Sequence, residues 1–163
     1  YWFRKKVLKA YPYAKLASER LTVLNERREN IKSKRKKREY TVRIQKYMEG
    51  EFTDQLKKLT RTEGRILIKL IHRQTGETAY DVVKDLRSGW KAFWYNTTAN
   101  MFKLSLRLEY NPEKVNEDYL IEDILQRAFI AGILKEQPSK LPYDYINLST
   151  KEIDVSTQVK KKK

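Results

Sequence analysis

The chain contains no cysteine, which excludes disulfides, Cys-ligated zinc and thiol catalysis. Histidine is almost absent as well. His72 stands alone, without a second imidazole to share a metal, and is read as a structural residue. Glycine and proline are scarce, 5 and 4 in 163 residues, and neither occurs between Pro12 and Gly50. Gly64, Gly76 and Gly89 are isolated, so no glycine-rich phosphate loop exists. No apolar run approaches the roughly 18 residues that a membrane-spanning helix needs. What the chain has instead is charge, at 35% of residues, and a hydrophobic content of 40% that suffices for a modest core.

That charge is unevenly distributed. Residues 1–50 hold 16 Lys/Arg against 5 Asp/Glu, residues 51–159 hold 16 against 16, and the last four residues are all lysine. A cationic N-terminal arm and a lysine tail thus flank a neutral region expected to fold on itself.

The breaker-free stretch after Pro12 is rich in Lys, Arg, Glu, Leu and Ala, which are strong helix formers. Ala14, Leu16, Ala17, Leu21, Leu24 and Ile31 recur at three- and four-residue steps. The pattern predicts a helix from about Tyr13 to Lys34, continuing after a break through Tyr40, Ile44, Tyr47 and Met48. Pro12 is expected to separate it from a short helix over Tyr1–Ala10.

Thr60 and Glu63 have the spacing of a capping box, and Gly76 stands where a C-cap belongs. Between them Ile66, Leu67, Ile68, Leu70 and Ile71 predict the central core helix. Thr78 with Asp81 signals another start, ahead of Tyr80, Val82, Val83 and Leu86. Ser88-Gly89 interrupts before a segment with Trp90, Phe93 and Trp94 on one face. Leu104, Leu106 and Leu108 alternate like a strand but have nothing to pair with, so this stretch is read as helical or irregular. Asn111-Pro112 is a turn, and Glu117 and Asp118 lead a last helix through Leu120, Ile124, Leu125 and Phe129.

The expected fold is therefore all-α: a small helical domain with a long basic N-terminal helix and an extended C-terminal tail. The expected division is a basic helical arm over 1–50, a helical core over 51–137 and an extended polar tail over 138–163.

Several long strings carry a resemblance. They are Tyr11-Pro12-Tyr13-Ala14, Leu59-Thr60-Arg61-Thr62-Glu63-Gly64, Leu70-Ile71-His72-Arg73-Gln74-Thr75-Gly76, the run from Leu86 to Thr98, and the run from Glu117 to Gln126. Over about Tyr11–Leu148 the chain resembles a Bacteroidota family labelled domain of unknown function 4294. The resemblance implies a mature periplasmic protein, with a leader and a variable segment upstream of the helical domain. It brings no catalytic residues, and the Lys160–Lys163 run is not among the family's features.

Three places invite a function. Lys32, Lys34, Arg35, Lys36, Lys37 and Arg38 put six cations in seven residues, more than one helical face can hold. Lys34 and Arg38 are four apart and repel, which favours an anionic partner over mere solvation. Candidate partners are nucleic-acid phosphates, anionic lipid headgroups or an acidic protein. Trp90 and Trp94 lie among Arg87, Lys91 and Tyr95; they either fill the core or form a partner surface. Glu117, Asp118, Glu122 and Asp123 could serve acid–base or cation chemistry, but are read as capping their helix and answering the basic N-terminal helix.

The resulting expectation is a non-enzymatic periplasmic accessory or structural subunit of a cell-envelope protein complex, in outer-membrane protein assembly, secretion or gliding. Its expected partners are proteins of that complex with acidic surfaces, with peripheral membrane contact, no transmembrane helix, no cofactor and no metal. The alternative is a cytoplasmic RNA- or DNA-binding or ribosome-associated basic protein, which the pI of 9.8 and the lysine tail favour. An enzyme acting on anionic glycans would have to rest on the paired carboxylates alone.

Overall fold

A computed structural model describes residues 1–84 and 106–150, apart from the side chains of residues 52, 53, 83 and 84. The protein is all-α, and no strand occurs among the described residues. Among the described residues five helices carry the fold: α1 (Trp2–Glu29), α2 (Lys34–Leu56), α3 (Arg61–Thr75), α4 (Ala79–Lys84) and α5 (Asn116–Ile130). Residues 145–150 are also helical. None of the described helices is long and apolar enough to cross a membrane.

α3 sits at the centre. Both bonds of its capping box form: the Glu63 N–H donates to Thr60 Oγ1 at 3.4 Å, and the Thr60 N–H to Glu63 Oε2 at 2.8 Å. Gly76 ends it at φ 78°, a left-handed conformation that glycine adopts without strain, with its N–H on the His72 carbonyl. Ile66, Leu67, Ile68, Leu70 and Ile71 are all buried, so α3 is covered around most of its circumference. α1 packs chiefly on α3, burying Val7, Ala10, Tyr11, Ala14, Ser18 and Leu21 along one stripe. α5 packs against α1, burying Ile121, Leu125 and Ala128, and is tied to α3 by charged side chains.

α1 and α2 form an antiparallel hairpin. Arg28 bonds Thr41 at 3.2 Å, Lys37 bonds Glu29 at 3.2 Å, and further from the bend Arg20 bonds Glu51 at 2.8 Å. Thr41, Ile44 and Met48, at three- and four-residue steps, turn α2 inward.

The structure corrects one expectation and adds detail to three others. Pro12 does not break the first helix; α1 runs through it from Trp2 to Glu29. Pro12 is exposed while Tyr11, Ala10 and Ala14 are buried, so packing of the opposite face outweighs the lost backbone bond. The break expected near Lys34 lies at residues 30–33, before α2. The boundary expected at residue 50 falls inside α2, since one glycine costs a helix only about 1 kcal/mol, and the arm's apolar stripe belongs to the core. The tail expected from residue 138 is docked as far as it is described. The Lys140 N–H donates to the Arg73 carbonyl at 2.9 Å, and the Tyr143 and Tyr145 hydroxyls donate to Glu122 and Asp123. Its polar side chains satisfy charges buried elsewhere, which composition does not reveal.

Two expectations held in form. Residues 106–110 are irregular, and Asn111 organises the turn by accepting the Glu113 and Lys114 N–H groups, each at 3.2 Å.

Candidate functional site

Two charged constellations stand out, one sealed and one open. The sealed one joins α3 to α5. Arg65, Lys69 and Arg73 are spaced four apart and so fall on one face of α3. Arg65 forks onto Glu117 at 3.1 and 2.7 Å, Lys69 reaches Asp118 at 2.6 Å, and Arg73 forks onto Glu122 at 2.8 and 2.9 Å. The carboxylates expected to answer the basic N-terminal helix therefore answer α3, because folding places α5 beside it. Asp123 differs: it turns outward to Arg127 and accepts the Tyr145 hydroxyl.

Glu122 is the hub. Besides Arg73 it accepts the hydroxyls of Tyr110 at 2.7 Å and Tyr143 at 2.8 Å, and the Gln126 amide at 2.8 Å. Burial pushes its carboxyl up, but the Arg73 hydrogen bonds and charge, with Gln126 and Tyr110, more than offset this and hold it below the usual range. Burial, reinforced by the Glu122 charge, pushes the Tyr110 hydroxyl well above its ordinary value. Arg73 also bonds Gln74 and the Gln137 carbonyl, the latter at 3.0 Å. Gln137 in turn meets Gln74 at 2.6 Å and Ser18 at 3.3 Å, tying α1, α3 and the C-terminal segment together.

His72 closes the network's edge. Its Nδ1 accepts the Tyr110 N–H at 2.8 Å, and burial lowers its pKa. This is a structural contact. Among the described residues, no three His, Asp or Glu side chains gather as metal ligands. With Arg73, Asp118 and Glu122 at 1% exposure or less, the inner part of the network is a lock between helices, while the Arg65–Glu117 pair at its end is partly exposed.

Sequence reasoning overlooked Arg65, Lys69 and Arg73. Their signal was present: three cations at four-residue steps inside a helix whose apolar residues fill the core are costly to bury unless partnered.

The open constellation is the α1–α2 elbow. Lys32 lies in the connection, and Lys34, Arg35, Lys36, Lys37 and Arg38 form the first turns of α2. All are exposed except the half-buried Lys37, which is drawn to Glu29. Arg35, 90% exposed, pairs with Glu39 at 3.0 Å. Among the described residues, Lys32, Lys34, Lys36 and Arg38 have no anionic partner. The first turn of α2 contains no acid, so these cations crowd the positive end of a helix dipole. The structure thus keeps the six predicted cations together at one bend. Trp90 and Trp94 lie outside the described residues.

A groove of about 590 Å³ runs between α1 and the α3–α4 junction, lined by Leu21, Thr22, Glu26, Glu29, Glu77 and Val82 among others. Among the described residues its lining includes no histidine, lysine or arginine.

Comparison with curated proteins and with solved structures gives no match. The sequence itself is more informative: residues 1–127, which carry α1 to α4, the α3–α5 ladder and the elbow, match a single family along their whole length. The chain belongs to the family described as domain of unknown function (DUF4294).

Proposed function

We propose that this protein is a non-enzymatic accessory subunit of a cell-envelope assembly in the periplasm, positioned by its cationic elbow while its helical body contacts other proteins of the complex. The observation that carries the reading is the contrast between the two constellations. The interior carboxylates, the residues on which acid–base chemistry would rest, are consumed by Arg73, Lys69 and tyrosine hydroxyls. The elbow cations are instead left exposed on a hairpin braced by Arg28–Thr41 and Arg20–Glu51. A braced charge cluster in which Lys32, Lys34, Lys36 and Arg38 have no anionic partner among the described residues is suited to binding, and the resemblance to a Bacteroidota envelope family supports the compartment.

The test is retrieval of the tagged full-length protein from its native cells, washed at low and then high salt. Envelope proteins that stay through the high-salt wash support the reading and name the assembly. Ribosomal proteins or nucleic acid that leave with salt, by about 10³ to 10⁵ in affinity between roughly 50 and 200 mM for six to ten phosphate contacts, would overturn it.

A further inference from the structure

We infer that the α1–α2 elbow docks end-on to the anionic phospholipid face of a membrane, its cations bound to headgroup phosphates. This rests on the envelope reading above and names the surface that the elbow meets.

Three observations lead there. The first is density. Residues 27–38 hold eight Lys/Arg and one Glu, a net of +7, gathered where two antiparallel helices meet. The second is arrangement. At about 100° per residue, Lys34, Arg35, Lys36, Lys37 and Arg38 together surround the first turns of α2 instead of lining one face. A stripe tracks a strand of phosphates; a ring at a helix end fits a plane that meets the helix head-on. A lipid leaflet is such a plane, and its mobile headgroups can move to whatever positions the cations occupy.

The third is what the elbow lacks. Residues 27–39 include no aromatic side chain on which a base could stack, and the first that follows, Tyr40, is half-buried. Their sole aliphatic residue, Ile31, is half-buried, so there is no exposed apolar anchor of the sort that centres a protein–protein interface. Charge alone remains. Each Lys or Arg at an anionic leaflet strengthens binding about fivefold, and guanidinium groups such as Arg35 and Arg38 can grip phosphate with two parallel bonds.

The experiment is vesicle co-sedimentation of the full chain, with pure phosphatidylcholine vesicles against vesicles carrying added phosphatidylglycerol. Binding is expected only to the anionic vesicles, and to weaken steeply as salt rises. Replacing Lys34, Arg35, Lys36 and Arg38 by Gln is expected to cut partition by about 600-fold, at about fivefold per cation. A control with the same charge removed elsewhere, at the exposed Lys57, Lys58, Lys114 and Lys135, is expected to retain most of it, since those cations lie outside the elbow. Circular dichroism establishes that both variants are folded.

Equal losses in the two variants would overturn the assignment by reducing it to net charge. So would equal binding to neutral vesicles, or elbow-dependent retention on RNA in a chain that ignores vesicles. Vesicle binding that fails while envelope proteins still co-purify would refute the lipid contact and leave the accessory-subunit reading intact. Vesicle binding that persists while nothing from the envelope co-purifies would refute that reading alone.

Discussion

Arg73 grips Glu122 with two parallel bonds, at 2.8 and 2.9 Å, in the interior between α3 and α5. These residues lie 49 positions apart, so the pair forms only when the two helices pack. Removing one partner strands the other without water. Glu122→Ala is expected to cost about 3–5 kcal/mol in denaturant unfolding, because it removes the acceptor shared by Arg73, Tyr110, Tyr143 and Gln126 and leaves the Arg73 charge buried without its counter-ion. In a double-mutant cycle, Arg73→Met combined with Glu122→Ala should cost less than the sum of the single changes. An additive cycle would contradict the role of Glu122 as a shared hub.

The network's titration sets the acid limit of stability. Glu122 has its folded pKa below the ordinary carboxylate value, so it binds fewer protons folded than unfolded at low pH. Its contribution is present above the unfolded pKa and is lost as pH falls through the folded one. His72 acts in the same direction nearer neutrality. Burial lowers its pKa from 6.5, so the unfolded chain takes up a proton first, and stability falls as pH drops below about 6.5. Protonation at Nδ1 would also remove the acceptor of the Tyr110 N–H. Replacing His72 with Gln is expected to flatten the decline of melting temperature between about pH 7 and 5.5. An unchanged slope would place that decline on other groups.

The central helix should be more sensitive in its interior than at its cap. Ile68→Ala and Ile71→Ala, at positions 1% and 5% exposed, are each expected to cost about 2–5 kcal/mol. Thr60→Ala, which removes one bond of the capping box, should cost about 1 kcal/mol. Losses below about 1 kcal/mol at both isoleucines would contradict the placement of α3 in the core.

How much of this was readable beforehand depended on whether the determinants are local. The ends of α3 were legible because Thr60, Glu63 and Gly76 act within a turn of themselves. The start of α5 was legible from Glu117 and Asp118 for the same reason, although their partners Arg65 and Lys69 were not. A side chain's partner across 49 to 52 positions is decided by topology, and one sequence does not state it. Pro12 misled because the cost of a missing N–H is local, whereas the gain from burying Val7, Tyr11 and Ala14 against α3 is tertiary. The docking of the C-terminal segment was illegible for the same reason. Gln137, Tyr143 and Tyr145 are polar by composition and become anchors only where Arg73, Glu122 and Asp123 await them. The elbow was the most legible feature, since a run of six cations needs no topology to be noticed.

That elbow should cost the fold stability. Lys34 and Lys36 stand at the positive end of α2 without anionic partners among the described residues, and a cation there is unfavourable by about 0.3–1 kcal/mol. Lys34→Gln and Lys36→Gln are expected to raise the melting temperature at low ionic strength, with the gain fading as salt increases. A lowered melting temperature would make the run a structural element instead of a binding one.

The most direct test of the account combines these opposite effects in one variant. Lys34, Arg35, Lys36 and Arg38 would be replaced by Gln in the full-length protein, produced in its native cells, and its distribution between membrane and aqueous fractions compared with that of the unaltered chain. The account expects the variant to leave the membrane fraction while melting no lower than the parent. A variant that stays in the membrane fraction, fully folded, would contradict the claim that the elbow is what holds this protein in place.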